Sequence, residues 1–268
     1  VLDLESLRYK DFKHDENGDI IDLICKRMSI TKDQSISLLM SWLRGTTIPL
    51  NKENKKIKRE DKELVSYPSM ILDSFTPTIS DLFLKVNINM ATQIVFDIRY
   101  DDVTNRILIP IYQFNTLVGL IGRLNKENLD KNDIKYYPLL PYPKSKVLFG
   151  YDINISDIKS KKYVILVESE KSVLKAYQLG IRNVLAIGGS SISKYHIELL
   201  KQNGITNVII LFDQDKNIKD IKKNIDKFEN IEYIIVNSSS LKDKSCLLDE
   251  VTSKKEFMKF IKKYGKKY

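Results

Sequence analysis

Cysteine and histidine are almost missing: the 268 residues hold two of each, Cys25 and Cys246, His14 and His196, all far apart. A structural zinc site draws about four such ligands at short spacings, so no zinc is expected in this chain. Two remote thiols build no disulfide framework and read as reduced cysteines of a cytoplasmic protein. No apolar run approaches the roughly 18 residues that a membrane span requires, and no signal-peptide pattern opens the sequence. These absences point to a soluble cytoplasmic chain without a membrane partner. A Gly-x-x-x-x-Gly-Lys-Ser/Thr phosphate loop is also lacking, which excludes a P-loop motor from this sequence. Because the first residue is Val1, upstream domains stay open.

What is present is a basic globular composition. The 44 Lys and Arg residues outnumber 35 Asp and Glu, for a formal charge of +9, and 43% of residues are hydrophobic. The length implies two or three compact units. The charge favours a polyanionic partner, although a Lys-rich surface also serves solubility, so motifs have to decide.

Helix-period apolar residues after the cap-like Asn17-Gly18-Asp19 (Ile20, Ile21, Leu23 and Ile24, then Ile36, Leu39, Met40 and Leu43) predict two short helices. Residues 51–62 are charged and nearly free of apolar side chains, as in a linker. Helical patches are expected from Pro68 to Ala91, with a set of strands starting at Ile94 to Ile98. Arg106–Tyr112 and Leu117–Arg123, separated by a turn at Asn115-Thr116, predict a hairpin. The second half changes period. Tyr163–Val167, Val184–Ile187, Val208–Phe212 and Ile231–Val236 are buried-type strands alternating with helices near Glu170–Leu179, Ser193–Gln202 and 218–228, which predicts a mainly parallel sheet flanked by helices. A last amphipathic helix is expected near Lys254–Lys263.

In such a sheet, ligands bind beyond the carboxyl ends of the strands. Glu168 follows the first strand, Gly188-Gly189-Ser190-Ser191 the second, and Asp213-Gln214-Asp215 the third. Three carboxylates gathered there repel one another unless a cation compensates, and Mg²⁺ is a hard ion that takes a few carboxylate oxygens and bridges phosphates. Gly188 and Gly189 let the backbone approach another group closely. The combination points to divalent-cation chemistry on phosphates.

The strings Val167-Glu168-Ser169-Glu170-Lys171-Ser172, Ile187-Gly188-Gly189-Ser190 and Phe212-Asp213-Gln214-Asp215 resemble a Toprim domain, shared by topoisomerases, primases and some nucleases. Upstream, the hairpin ending in Gly122-Arg123, the pair Lys135-Tyr136, and Lys144-Ser145-Lys146-Val147-Leu148-Phe149-Gly150 resemble, in order, elements of the DnaG-type bacterial and phage primases. Gly18-Asp19-Ile20-Ile21-Asp22-Leu23 resembles the motif closing their zinc-binding domain, and Leu241-Lys242-Asp243-Lys244 their Lys-Asp segment. The resemblance implies an α+β and α/β chain. It comprises a zinc-domain remnant with helices at 1–50, a linker at 51–66, a primase-type α+β subdomain at 67–158, a Toprim domain at 159–240 and a helical segment at 241–268.

It also implies metal-dependent synthesis of short RNA primers on single-stranded DNA from ribonucleoside triphosphates. Glu168, Asp213 and Asp215 would be catalytic and, with Asp243, hold Mg²⁺ or Mn²⁺; Asp249 is a weaker candidate. Arg123, Lys135, Lys144, Lys146, Gly188 and Gly189 would contact nucleotide or template, Tyr136, Tyr137 or Tyr142 would stack on bases, and a separate replicative helicase would be a partner. Three departures stand out: Tyr9–His14 lacks the zinc domain's cysteines, Ser169 replaces a glycine, and Ser172 stands where aspartate is frequent. They keep two alternatives in view, a Toprim nuclease and a catalytically weakened, primase-like single-stranded-DNA-binding module.

Overall fold

In the computed structural model the chain opens with a short antiparallel meander, β1 (Leu2–Asp3), β2 (Arg8–Asp11) and β3 (Glu16–Asp19), followed by α1 (Ile20–Met28) and α2 (Lys32–Leu43). The structure describes residues 2–3, 8–11, 16–28, 30–43, 63–131, 133–241 and 246–268. They belong to two units, one of residues 1–62 with 139–141, the other of 63–138 with 142–268. In the first, Asp19 Oδ1 accepts the Asp22 N–H at 2.9 Å and Asp22 Oδ2 accepts the Asp19 N–H at 3.3 Å. This reciprocal cap satisfies free donors at the positive end of α1 with negative side chains. Ile24, Ile30 and Leu38 form the small core behind it. Residues 12–15 and 44–62, which hold part of the zinc-domain remnant and most of the expected linker, lie outside the described residues.

The second unit carries, after a 3₁₀ turn at Ser69–Ser74, β4 (Thr76–Pro77), α3 (Asp81–Lys85), α4 (Met90–Val95), β5 (Arg99–Asp101), β6 (Arg106–Gln113), β7 (Thr116–Leu124) and the first part of β8 (Tyr136–Leu140). The sheet order is β4-β5-β6-β7-β8. The expected hairpin forms, with its turn one residue earlier than the sequence suggests: Phe114 and Asn115 take φ of 56° and 57° between the paired residues Gln113 and Thr116. Two left-handed central residues make a type I′ turn, whose twist matches that of the strands.

The expected strand start at Ile94–Ile98 is wrong. Asn89 accepts the Thr92 N–H and caps a helix at Met90, so Ile94 and Val95 form its exposed last turn and the strand begins at Arg99. A β-branched cluster there outweighed, in the sequence reading, a single capping asparagine.

The alternating half follows: α5 (Tyr151–Lys161), β9 (Tyr163–Val167), α6 (Glu170–Gln178), β10 (Val184–Ala186), α7 (Lys194–Gln202), β11 (Asn207–Ile210), α8 (Ile218–Ile225), β12 (Glu232–Val236), α9 (Leu247–Glu250), α10 (Lys254–Tyr264) and β13 (Gly265–Lys267). The strand order is β10-β9-β11-β12-β13, parallel except for β13, which closes one edge antiparallel to β12. Successive side chains of a strand face opposite ways. Accordingly Ile165 and Val167 enter one core, Val164 and Leu166 the other. Ile165 and Val167 share their core with Ile107, Ile109 and Ile111 of β6, so the hairpin packs onto the parallel sheet. Burying each such side chain contributes roughly 1.5–3 kcal/mol, which fixes the strand ends relative to the hairpin. No helix among the described residues is long and apolar enough to cross a membrane.

Candidate active site at the strand ends

β9 and β11 are neighbours in register, so the residues that leave them meet. Glu168 Oε1 accepts the backbone N–H of Asp213 at 2.9 Å. Lys216 lies beside them, its Nζ 3.7 Å from Glu168 Oε2 and 3.5 Å from Asp215 Oδ2. Burial, then the Asp213 charge, holds the Glu168 carboxyl above the usual range, even though the Asp213 N–H works the other way. Asp213 is likewise raised by burial and by Asp215 and Asp249. The cluster is thus short of positive charge. Its donors are hard oxygens of the kind that suit Mg²⁺ or Mn²⁺. Yet among the described residues no three His, Cys, Asp or Glu side chains form a ready metal-ligand set. Asp243 lies outside the described residues.

Ser169 caps α6 by accepting the Ser172 N–H. Their hydroxyls lie 3.0 Å apart, and Ser172 Oγ donates to Cys246 Sγ at 3.6 Å. Burial, then Asp213, pushes the Cys246 thiol up to about 12, so it is neutral. Glu170 points inward and accepts the Tyr142 hydroxyl at 3.0 Å. One turn along α6, Lys171 and Lys175 both engage Asp249 of α9: Lys171 Nζ is 2.9 Å and Lys175 Nζ 2.7 Å from Oδ1.

The basic residues differ in how they are held. Arg123 is buried on β7, donates to the carbonyls of Leu124 and Lys126, and lies over the Tyr136 ring at 5.7 Å. Lys135, exposed, is 5.9 Å from the same ring. Lys144 and Lys146 form a 3₁₀ turn anchored through its backbone to the start of α7. Ser193 Oγ donates to the Ser145 carbonyl at 2.5 Å, and His196 Nε2 lies 2.9 Å from the Lys144 carbonyl. Because His196 Nδ1 accepts the Ser193 N–H at 3.3 Å, Nε2 carries the proton and donates. Burial pushes the His196 pKa down to about 4. Gly188, beside the Lys144 side chain, has φ +66°, a conformation that favours glycine whatever the space around it.

A profile of the Toprim domain matches residues 162–217. Among curated proteins, the SPbeta prophage-derived uncharacterized protein YorJ of Bacillus subtilis (strain 168) is 34% identical over 172 residues, 60% of this chain and 45% of that protein. The DNA primase of Legionella pneumophila is 35% identical over 121 residues, 43% of this chain and 20% of the primase. The chain therefore spans less than half the length of these relatives. Among solved structures, the zinc-binding and RNA polymerase domains of Aquifex aeolicus primase superpose with a TM-score of 0.61 at 19% identity, covering 100% of this chain and 75% of that one. A DnaG catalytic core superposes with a TM-score of 0.57 at 18% identity, covering 69% and 72%.

The chain has the fold of a DnaG-type primase core. Its Toprim domain puts Glu168 against the Asp213 backbone, with Asp215 joined to Glu168 through Lys216, and sets Gly188 beside the Lys144 side chain. Gly189 lies exposed beside it. Arg123 on β7 and Lys135 just before β8 instead flank Tyr136. Sequence reasoning missed Lys216, the pairing of Lys171 and Lys175 with Asp249, which it had offered only as a weaker metal candidate, and the Ser193–His196 anchor. Only the last had a local signal, a serine three residues before a side chain able to complete a capping box.

Proposed function

We propose that this chain is a primase catalytic core that synthesises short RNA primers on single-stranded DNA from ribonucleoside triphosphates. The observation that carries this reading is that one Toprim domain presents the Glu168, Asp213 and Asp215 carboxylates after its strands and, through Ser193 and His196 of the same domain, grips the backbone of the basic turn Lys144–Lys146 that precedes it. Likeness to primases in sequence and fold supports it, as does a DnaG primase catalytic domain solved bound to ssDNA, which superposes with a TM-score of 0.51 at 19% identity.

In this proposal Glu168, Asp213 and Asp215, with Asp243, hold Mg²⁺ or Mn²⁺. Such an ion would supply charge neutralisation at the triphosphate, where the primer 3′-hydroxyl attacks the α-phosphorus and pyrophosphate leaves. Glu168, whose carboxyl is held above the usual range by burial, either completes the ligand set or takes the hydroxyl proton. Lys216 swings from the carboxylates toward solvent or phosphate. Lys144, Lys146 and Lys135 contact phosphates as point charges, and buried Arg123 holds Tyr136 for stacking on a base. Template affinity falls steeply with salt because it rests on phosphate neutralisation. A separate replicative helicase delivers the chain to its template.

The test is primer synthesis on single-stranded DNA with labelled ribonucleotides and Mg²⁺ or Mn²⁺, comparing wild type with Asp213→Ala. Short RNA products lost in the variant support the reading. DNA cutting instead identifies a Toprim nuclease, and DNA binding without products under either metal identifies a binding module.

A further inference from the structure

Resting on that reading, we infer that Lys171, anchored by Asp249, contacts the triphosphate of the incoming nucleotide, between the carboxylate cluster and the Arg123–Lys135 wall. Lys171 sits in the first turn of α6, three residues after Glu168, so the same strand-to-helix turn that presents the carboxylate also presents the ammonium.

The ion group around it has more positive charge than a structural tie needs. One carboxylate, Asp249, receives two ammonium groups, Lys175 on Oδ1 and Lys171 across both oxygens. One lysine would suffice to join α6 to α9. Their exposures separate the roles: the Lys175 side chain is 7% exposed and the Lys171 side chain 28%. Lys175 neutralises Asp249 from the buried side, and Lys171 is left as a positioned cation with access to solvent.

Its surroundings give that charge a direction. Lys171 is within electrostatic reach of Asp213 and also of Lys135 and Tyr136, whose ring lies 5.7 Å from the Arg123 guanidinium and 5.9 Å from the Lys135 ammonium. Burial first, then Arg123 and Lys171, holds the Lys135 ammonium below its usual range, with Asp249 acting the other way. Ser172 and the neutral Cys246 thiol, packed beside this turn, add no negative charge. A ligand that relieves both sides has several negative charges spread over a few ångströms and oxygens able to meet a cation, which describes a triphosphate. A fixed ammonium lowers its charge without waiting for a side chain to order.

The experiment uses the full chain and three probes: Mg-ATP and inorganic tripolyphosphate by calorimetry, and a labelled single-stranded oligonucleotide by anisotropy. Nucleotide KM and melting temperature are read in parallel. Lys171→Met, which keeps the volume and removes the charge, is expected to weaken both phosphate probes about tenfold and raise KM by a similar factor. Oligonucleotide affinity and melting temperature stay near wild type, and Lys171→Arg retains most of the phosphate affinity. Asp249→Asn, which loosens the anchor, gives a smaller loss; if Lys171→Met does not fold, Lys171→Arg and Asp249→Asn decide. Phosphate binding by Lys171→Met equal to wild type overturns the inference, as does a loss matched in melting temperature and in oligonucleotide binding. If wild type binds tripolyphosphate but makes no primers, the primase reading falls and Lys171 is judged on binding alone. If wild type binds neither phosphate probe, both fall.

Discussion

The side chain of Glu168 accepts the backbone N–H of Asp213 at 2.9 Å, so the acid that follows β9 is tied to the main chain that follows β11. Charge and hydrogen bonding can be separated here. Glu168→Gln keeps an amide oxygen for the Asp213 N–H and removes the charge. Primer synthesis is expected to fall at least about a hundredfold with little change in melting temperature. Glu168→Ala leaves the N–H unpaired and costs a further ~1–3 kcal/mol in denaturant unfolding.

Asp213 offers a test by metal addition. Its carboxyl is raised by burial and by Asp215 and Asp249, so the folded state holds the proton more tightly than the unfolded chain. Stability is therefore lost as pH rises from the ordinary carboxylate range through the folded value. Without divalent ions, Asp213→Asn should melt higher than wild type at neutral pH. Mg²⁺ should raise the melting temperature of wild type and leave the variant unmoved, as differential scanning fluorimetry will show.

His196 sets an acid limit. Its folded pKa is about 4 against an ordinary 6.5, so between those values the unfolded chain binds a proton that the folded chain refuses. The contribution is fully present above pH 6.5 and lost as pH falls toward 4, on the order of 3 kcal/mol. Urea unfolding between pH 7 and 4.5 should show that slope. His196→Gln, with glutamine at the same cap position, should flatten it and weaken the hold on the Lys144 carbonyl.

Gly119 faces the Tyr142 ring so closely that a Cβ would overlap it. Gly119→Ala is expected to destabilise by about 1–3 kcal/mol through overpacking. Since Tyr142 donates to Glu170, the same change displaces that hydroxyl. Chemical denaturation measures the first effect. For the second, Tyr142→Phe in the Gly119→Ala background should cost less than in wild type.

The parallel sheet was legible because β9, β11 and β12 are apolar runs that no solvent-facing strand carries, and polar residues begin where each run stops. Glu168, Asp213 and Asp215 were legible for the same reason: position after a strand is local information. The pairing of Lys171 with Asp249 was not: one stands in the Toprim-like string and the other was a weaker metal candidate, but 78 residues separate them and nothing in their spacing joins them. Ile94–Val95 misled because β-branched residues in the exposed last turn of a six-residue helix look like a strand when read without their cap. Neighbourhoods created by folding alone, such as Ser193 against Ser145, leave no trace in spacing.

The anchor at that last contact separates shape from charge. Ser193 and His196 grip the carbonyls of Ser145 and Lys144, atoms that every amino acid possesses. Lys144 and Lys146 can therefore drift to arginine, glutamine or glutamate while the turn keeps its course, which lets its electrostatics evolve freely on a fixed frame. A library randomised at 144 and 146 should yield mostly folded proteins spanning a wide range of DNA affinities. One randomised at 193 and 196 should lose the turn itself.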